Sequence, residues 1–157
     1  MTLSMSNAMR RLGIALALAA PLTAQAAQGL QIHEPWSRPA VSGSNGIGYM
    51  VVENHGAKAD VLEKVDSPIA GRVEMHSSSM AGGVMSMAKA DKVAVPAGGK
   101  VTFGPGAYHL MFVGLTRTLK AGDAAPATLT FASGAKIKVS FPVSAGMGPP
   151  AMAGMAR

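Results

Sequence analysis

The chain has 157 residues, 48% of them hydrophobic and 14% charged, with a formal charge of +6 and no cysteine. That length accommodates one domain with a real core and is short for two. Without cysteine there can be no disulfide framework, zinc ribbon, thioredoxin-like centre, thiol nucleophile or blue-copper thiolate.

The chain opens with a polar lead, MTLSMSNAMRR, followed by the apolar run LGIALALAAPL and the small-x-small triplet Ala24-Gln25-Ala26. This is the pattern of a secretory signal peptide. An apolar run of about 11 residues falls well short of the roughly 20 that a membrane-spanning helix needs. We expect a signal peptide over residues 1–26, cleavage after Ala26, export to a bacterial periplasm, and no membrane span afterwards. No cysteine lies near the cut, so no lipid anchor is expected there. Loss of Arg10 and Arg11 leaves 12 basic residues against all 8 acidic ones, a charge of +4. The basic residues are scattered among few aromatics, which does not suit a nucleic-acid partner.

Past the leader the chain reads as short extended pieces separated by Gly/Pro turns. GLQIHEPWSRP gives a first strand, and GIGYMVVENHG a second, apolar one. DVLEKVDSP, GRVEMHSSS and GGVMSMAKA follow, the last two split by Gly82-Gly83. KVAVPAGGKVTFGPGAYHLMFVGL supplies three more, punctuated by Pro96-Ala97-Gly98-Gly99 and Gly104-Pro105-Gly106. In ATLTFASGAKIKVSFPV, threonines and lysines alternate with Leu129, Phe131, Ile137 and Val139 about a Ser133-Gly134 turn, which predicts a terminal hairpin. No window past the leader carries a sustained helical period. The expectation is an all-β single domain over 27–143, an antiparallel sandwich or small barrel. The composition of 144–157, SAGMGPPAMAGMAR, predicts a flexible Met/Gly/Pro tail.

The stretch from Met75 to Met111 holds two of the four histidines and five of the twelve methionines. Imidazole and thioether without thiolate or a carboxylate cage form a soft donor set, suited to Cu(I) and poorly suited to Ca²⁺, Mg²⁺ or structural zinc. In a strand over Tyr108-His109-Leu110-Met111-Phe112, Tyr108, Leu110 and Phe112 face the core while His109 and Met111 project from the other side. Met85 and Met87 share a face, as do Glu74 and His76. Met50 and Met75 are expected in the core, because a strand methionine is usually filler. His33 and His55 lie beside turns and are expected to be plain surface residues. His76, Met87, His109 and Met111 are the candidate metal ligands, with Met85 as an auxiliary thioether.

The spacing His76-x10-Met87-x21-His109-x-Met111 resembles the motif of the periplasmic copper(I) chaperone family known as PCuAC. The resemblance extends to Trp36-Ser37-Arg38, Gly48-Tyr49, ENHG-x-x-AD at 53–60, RVEMH, the PAGGKVTFGPGAYHLMFVGL block and Leu119 to Asp123. It implies a cupredoxin-like, Greek-key antiparallel β-sandwich. It also implies that His76, Met87, His109 and Met111 bind Cu(I) for delivery to a copper-accepting protein. That acceptor would be the subunit II copper domain of cytochrome c oxidase, with its dinuclear site, or an assembly factor. A monomer is expected. The tail has Met147, Met152 and Met155 but no histidine, so a Cu(II) site there is not expected.

The expected chemistry is ligand exchange rather than enzymatic turnover. The competing readings are a periplasmic copper scavenger using the same site and a secreted β-sandwich interaction module with the methionines as core. A copper oxidoreductase would want a cysteine or a third histidine. A hydrolase based on Ser77, Ser78 and Ser79 lacks G-x-S-x-G and a triad order.

Overall fold

The computed structural model describes residues 29–149. The expected signal peptide lies outside the described residues, as does the end of the expected tail, 150–157. Among the described residues, no helix is long and apolar enough to cross a membrane.

Ten strands follow in order: β1 (Leu30–Ser37), β2 (Gly46–Asn54), β3 (Asp60–Asp66), β4 (Ala70–Ala81), β5 (Val84–Ala90), β6 (Val93–Val95), β7 (Lys100–Phe103), β8 (Tyr108–Leu115), β9 (Ala124–Phe131) and β10 (Lys136–Pro142). Every extended piece expected from the alternation is a strand. They form a six-stranded sheet, β1-β2-β7-β8-β4-β5, and a four-stranded sheet, β10-β9-β3-β6. The expected β-sandwich is therefore present. Its pairings are antiparallel apart from one Phe103–Tyr108 pair between β7 and β8 and an isolated Ser37–Val143 bridge.

The core is the space between the two sheets. From the six-stranded sheet it receives Met50 and Val52 of β2, Met75 of β4, Phe103 of β7 and Leu110 and Phe112 of β8. Across from them lie Leu62 and Val65 of β3, Leu129 and Phe131 of β9 and Phe141 of β10. Both methionines assigned to the core are in it, Met50 at 1% exposure and Met75 at 5%. Phe112 meets Phe141 edge-on at 5.9 Å between ring centroids. Gly48 makes room for that ring: a Cβ at this position would sit 2.8 Å from Phe112 Cε2.

Two bulges correct the simple alternation. Leu62 and Val65 are three apart yet both buried, because the β3–β9 register shifts between Leu62 and Lys64. In β1 the register shifts between His33 and Trp36, and Glu34 takes φ 48°, a left-handed conformation that non-glycine residues rarely adopt. The extra residue puts His33 and Trp36 on one face although they are three apart. That is the outer face of the six-stranded sheet, which carries the chemistry.

Candidate metal centre

The register of β4, β5 and β8 assembles the site. His76 on β4 lies directly opposite His109 on β8, and Glu74 lies opposite Met111. Cross-strand partners share a face, so Glu74, His76, His109 and Met111 form a square patch on the outer surface. The two imidazoles stack with centroids 5.6 Å apart and planes inclined by 29°. His109 was expected to project outward, and it is only 4% exposed. The reason is position. β8 is interior to the sheet, with β2 and β7 on one side and β4 on the other, so its side chains are flanked on both sides.

Met87 stands apart from this patch. It pairs with Ser78, while the residue opposite His76 is Lys89. Met87 is therefore one diagonal step from His76 on the same face, about 7 Å along the strand, and 60% exposed. Met85, opposite Met80, lies about 13 Å along β5 from the His76 row. The structure thus brings His76, His109 and Met111 together, sets Met87 at the open edge, and leaves Met85 with Met80 toward the hairpin turn.

Glu74 is the residue whose role the sequence understated. Its carboxylate accepts from Arg72 Nε at 2.8 Å, lies 3.0 Å from His76 Nε2, and has Lys89 Nζ at 3.9 Å. The hydrogen bond from Arg72, then that from His76, lowers its pKa from 4.5 to about 2. A carboxylate that stays ionised only accepts, so His76 must donate through Nε2. In the neutral ring this leaves Nδ1 with its lone pair, the arrangement by which an acidic partner orients a metal-binding imidazole. Burial first, and the nearby His76 second, push the pKa of His109 below the usual histidine value. The His109 ring is therefore disposed to be neutral, as metal coordination requires. Met111 Sδ is 3.8 Å from Asn45 Nδ2. Beyond Met111 a small cleft is lined by Arg38, Asn45 and Ile47. Arg38 lies over the rings of Trp36 and Tyr49 at 5.5 and 5.7 Å, which secures its guanidinium although its Nε has no hydrogen-bond partner.

These shifts set a pH dependence with two windows. The folded pKa of His109 lies below its unfolded value, so its contribution to stability is full above about pH 6.5 and is lost as the pH falls through the folded pKa. Glu74 contributes above 4.5 and loses its contribution as the pH falls toward 2. Urea midpoints of the metal-free protein should fall in two stages on acidification. The stage beginning near pH 6.5 should shrink in His109→Gln; an unchanged profile in that variant would show that His109 carries no such linkage.

The structure also gathers His33 and His55, both expected to be plain surface residues, around Glu53. His33 Nε2 is 3.0 Å and His55 Nε2 3.6 Å from the same oxygen, Glu53 Oε2. Only the β1–β2 register brings His33 to this corner, so no local pattern could have revealed the group. The available signal was the short spacing from Glu53 to His55.

Among solved structures, the chain is similar to a copper-bound PCuAC domain from PmoF2. The TM-score is 0.64 with 28% identity, over 75% of this chain and 94% of that one. The CuI form of DR1885 from Deinococcus radiodurans shares the fold, with a TM-score of 0.59 and 24% identity over 78% of this chain and 85% of that one. The sandwich is therefore cupredoxin-like. A curated relative, "Putative lipoprotein Lxx21020" of Leifsonia xyli subsp. xyli (strain CTCB07), is 30% identical over 118 residues, 74% of this chain and 70% of the relative. A family model described as "Putative lipoprotein LpqE-like" matches residues 30–143. On a match of that extent, the chain belongs to the LpqE-like family, whose fold it shares with PCuAC copper-binding domains.

Proposed function

We propose that the protein is a periplasmic Cu(I) metallochaperone that carries its ion on His76, His109, Met111 and Met87 and releases it by ligand exchange. The observation that carries this reading is the direct cross-strand pairing of His76 with His109, with Met111 beside them on the outer face. The copper-bound state of the similar PmoF2 domain supports it. Residues 1–26 act as the export signal, 27–143 as the copper-binding domain and 144–157 as a Met/Gly/Pro tail.

Cu(I) is d¹⁰ and accepts two imidazoles and two thioethers without strong geometric demand. Thioether sulfur is neutral and needs no deprotonation, so only the histidines couple binding to pH. Oxidation to Cu(II) would favour N/O donors in tetragonal geometry and weaken the grip of the methionines. The two histidines and Met111 sit on rigid paired strands, whereas Met87 is on the exposed edge strand. An acceptor ligand can therefore enter as the Met87 thioether leaves. An acceptor offering thiolates, such as the dinuclear copper domain of cytochrome c oxidase, would bind Cu(I) more tightly and draw the transfer forward.

The purified protein should bind one Cu(I) per chain under reducing conditions, with copper-edge X-ray absorption fitting two nitrogen and two sulfur donors. Absence of binding at micromolar copper would reject the reading. Mixing the loaded protein with apo oxidase copper domain, separating the two and measuring metal content should find Cu(I) on the acceptor, two donor chains supplying each dinuclear site. Retention of copper by the donor would point instead to scavenging.

A further inference from the structure

The outer face of the six-stranded sheet bears chemistry at both ends. At the β1 edge, His33, Glu53 and His55 each place a donor atom within 4.8 Å of the other two. We infer that these three side chains form a second metal site, specific for a divalent first-row ion and independent of the Cu(I) site.

The geometry fits a shared ion. Two ligand atoms that each lie about 2.0–2.1 Å from a tetrahedral metal are about 3.3 Å apart. The observed separations from Glu53 Oε2 are 3.0 Å to His33 and 3.6 Å to His55, on either side of that value. The donors are held by backbone structure. His33 sits on β1 opposite Val51, and Glu53 sits on β2 opposite Gln31. The bulge after His33 lets the outer face continue to Trp36 without displacing the His33 row. His55 lies past the end of β2, yet its N–H donates to the Gly29 carbonyl at 2.6 Å. The next residue, Gly56, donates its N–H to Asn54 Oδ1 at 2.8 Å, and Asn54 is itself buried. The chains approach so closely here that a Cβ on Gly29 would lie 2.8 Å from Gly56 N.

The donor set gives the chemical class. Two imidazoles and one carboxylate, with no sulfur, suit Zn(II) and Cu(II) and are a poor match for Cu(I). The stability order of divalent ions places Cu(II) above Zn(II) at such a site. Three protein ligands leave a coordination position for water or an exchanging ligand. Side-chain exposures of 44% for His33, 35% for Glu53 and 51% for His55 leave the group accessible from solvent. Lys100, opposite Glu53 on β7, is the neighbouring cation and would weaken binding somewhat.

Equilibrium dialysis of the full chain against Zn(II) tests this inference. The measurement is made in a His76→Ala background, so that Glu74, His76 and His109 cannot substitute. One Zn(II) per chain is expected. His33→Ala, Glu53→Gln and His55→Ala should each lower the affinity by about tenfold or more, because even the loss of an outer-shell partner costs about 10–100-fold. Cu(II) should displace the Zn(II), and melting temperatures without metal should stay near that of the parent. The Cu(I) stoichiometry of His55→Ala in the otherwise native chain should be unchanged, which separates this site from the first. No Zn(II) binding, or binding indifferent to all three substitutions, would overturn the inference and leave a metal-free His–Glu–His contact.

Discussion

Met111→Ala is expected to cut Cu(I) affinity by on the order of 100-fold or more, since removing a direct ligand should exceed the 10–100-fold cost of losing an outer-shell partner. The fold should barely respond. Met111 is half-buried on the outer face, beside Asn45 and away from the inter-sheet core. Its truncation should cost less than about 2 kcal/mol, below the range for a fully buried methionine. Competition with a chromophoric Cu(I) chelator measures the first effect and urea unfolding of the metal-free protein the second. Parallel losses would mean that Met111 is a packing residue and that the metal reading of β8 is wrong.

Phe112 is the opposite case on the same strand. It has no exposed surface, faces Phe141 of the other sheet, and lies against Gly48. Phe112→Ala is expected to destabilise the domain by about 3–5 kcal/mol, against a total of about 5–15 for a typical domain. A melting temperature lower by about 10–20 °C should accompany it. The chain has no disulfide to offset the loss. A cost below about 1 kcal/mol would show that the sheets are held together elsewhere. Because Phe112 is adjacent to Met111, its loss should also weaken Cu(I) binding through the strand, by a smaller factor than Met111→Ala.

These two neighbours illustrate what could be read locally. In β8 the period of two assigns Leu110 and Phe112 to one face and His109 and Met111 to the other, and the structure agrees. What alternation could not supply was the depth of each side. It predicted an outward His109, whereas an interior strand leaves that ring 4% exposed. Nor could it foresee that Met87 would pair with Ser78 and not with His76, because cross-strand register depends on the hairpin turn at Gly82-Gly83.

The sequence by itself determined the ten strands, the turns between them, the assignment of Met50 and Met75 to the core, and a soft donor set without thiolate. All of these follow from near-neighbour periodicity and composition, which need no knowledge of distant contacts. Tertiary structure decided the rest. It set His76 opposite His109, placed the Glu74 carboxylate where it orients His76, and used the bulge at Glu34 to keep His33 and Trp36 on one face. It also joined His33 to Glu53 and His55, residues about twenty apart in the chain. Apart from the Glu74–His76 contact, which is made within β4, each of these is a register between strands. Register is fixed by which faces must be buried across the whole sheet, and so it cannot be read from any one segment.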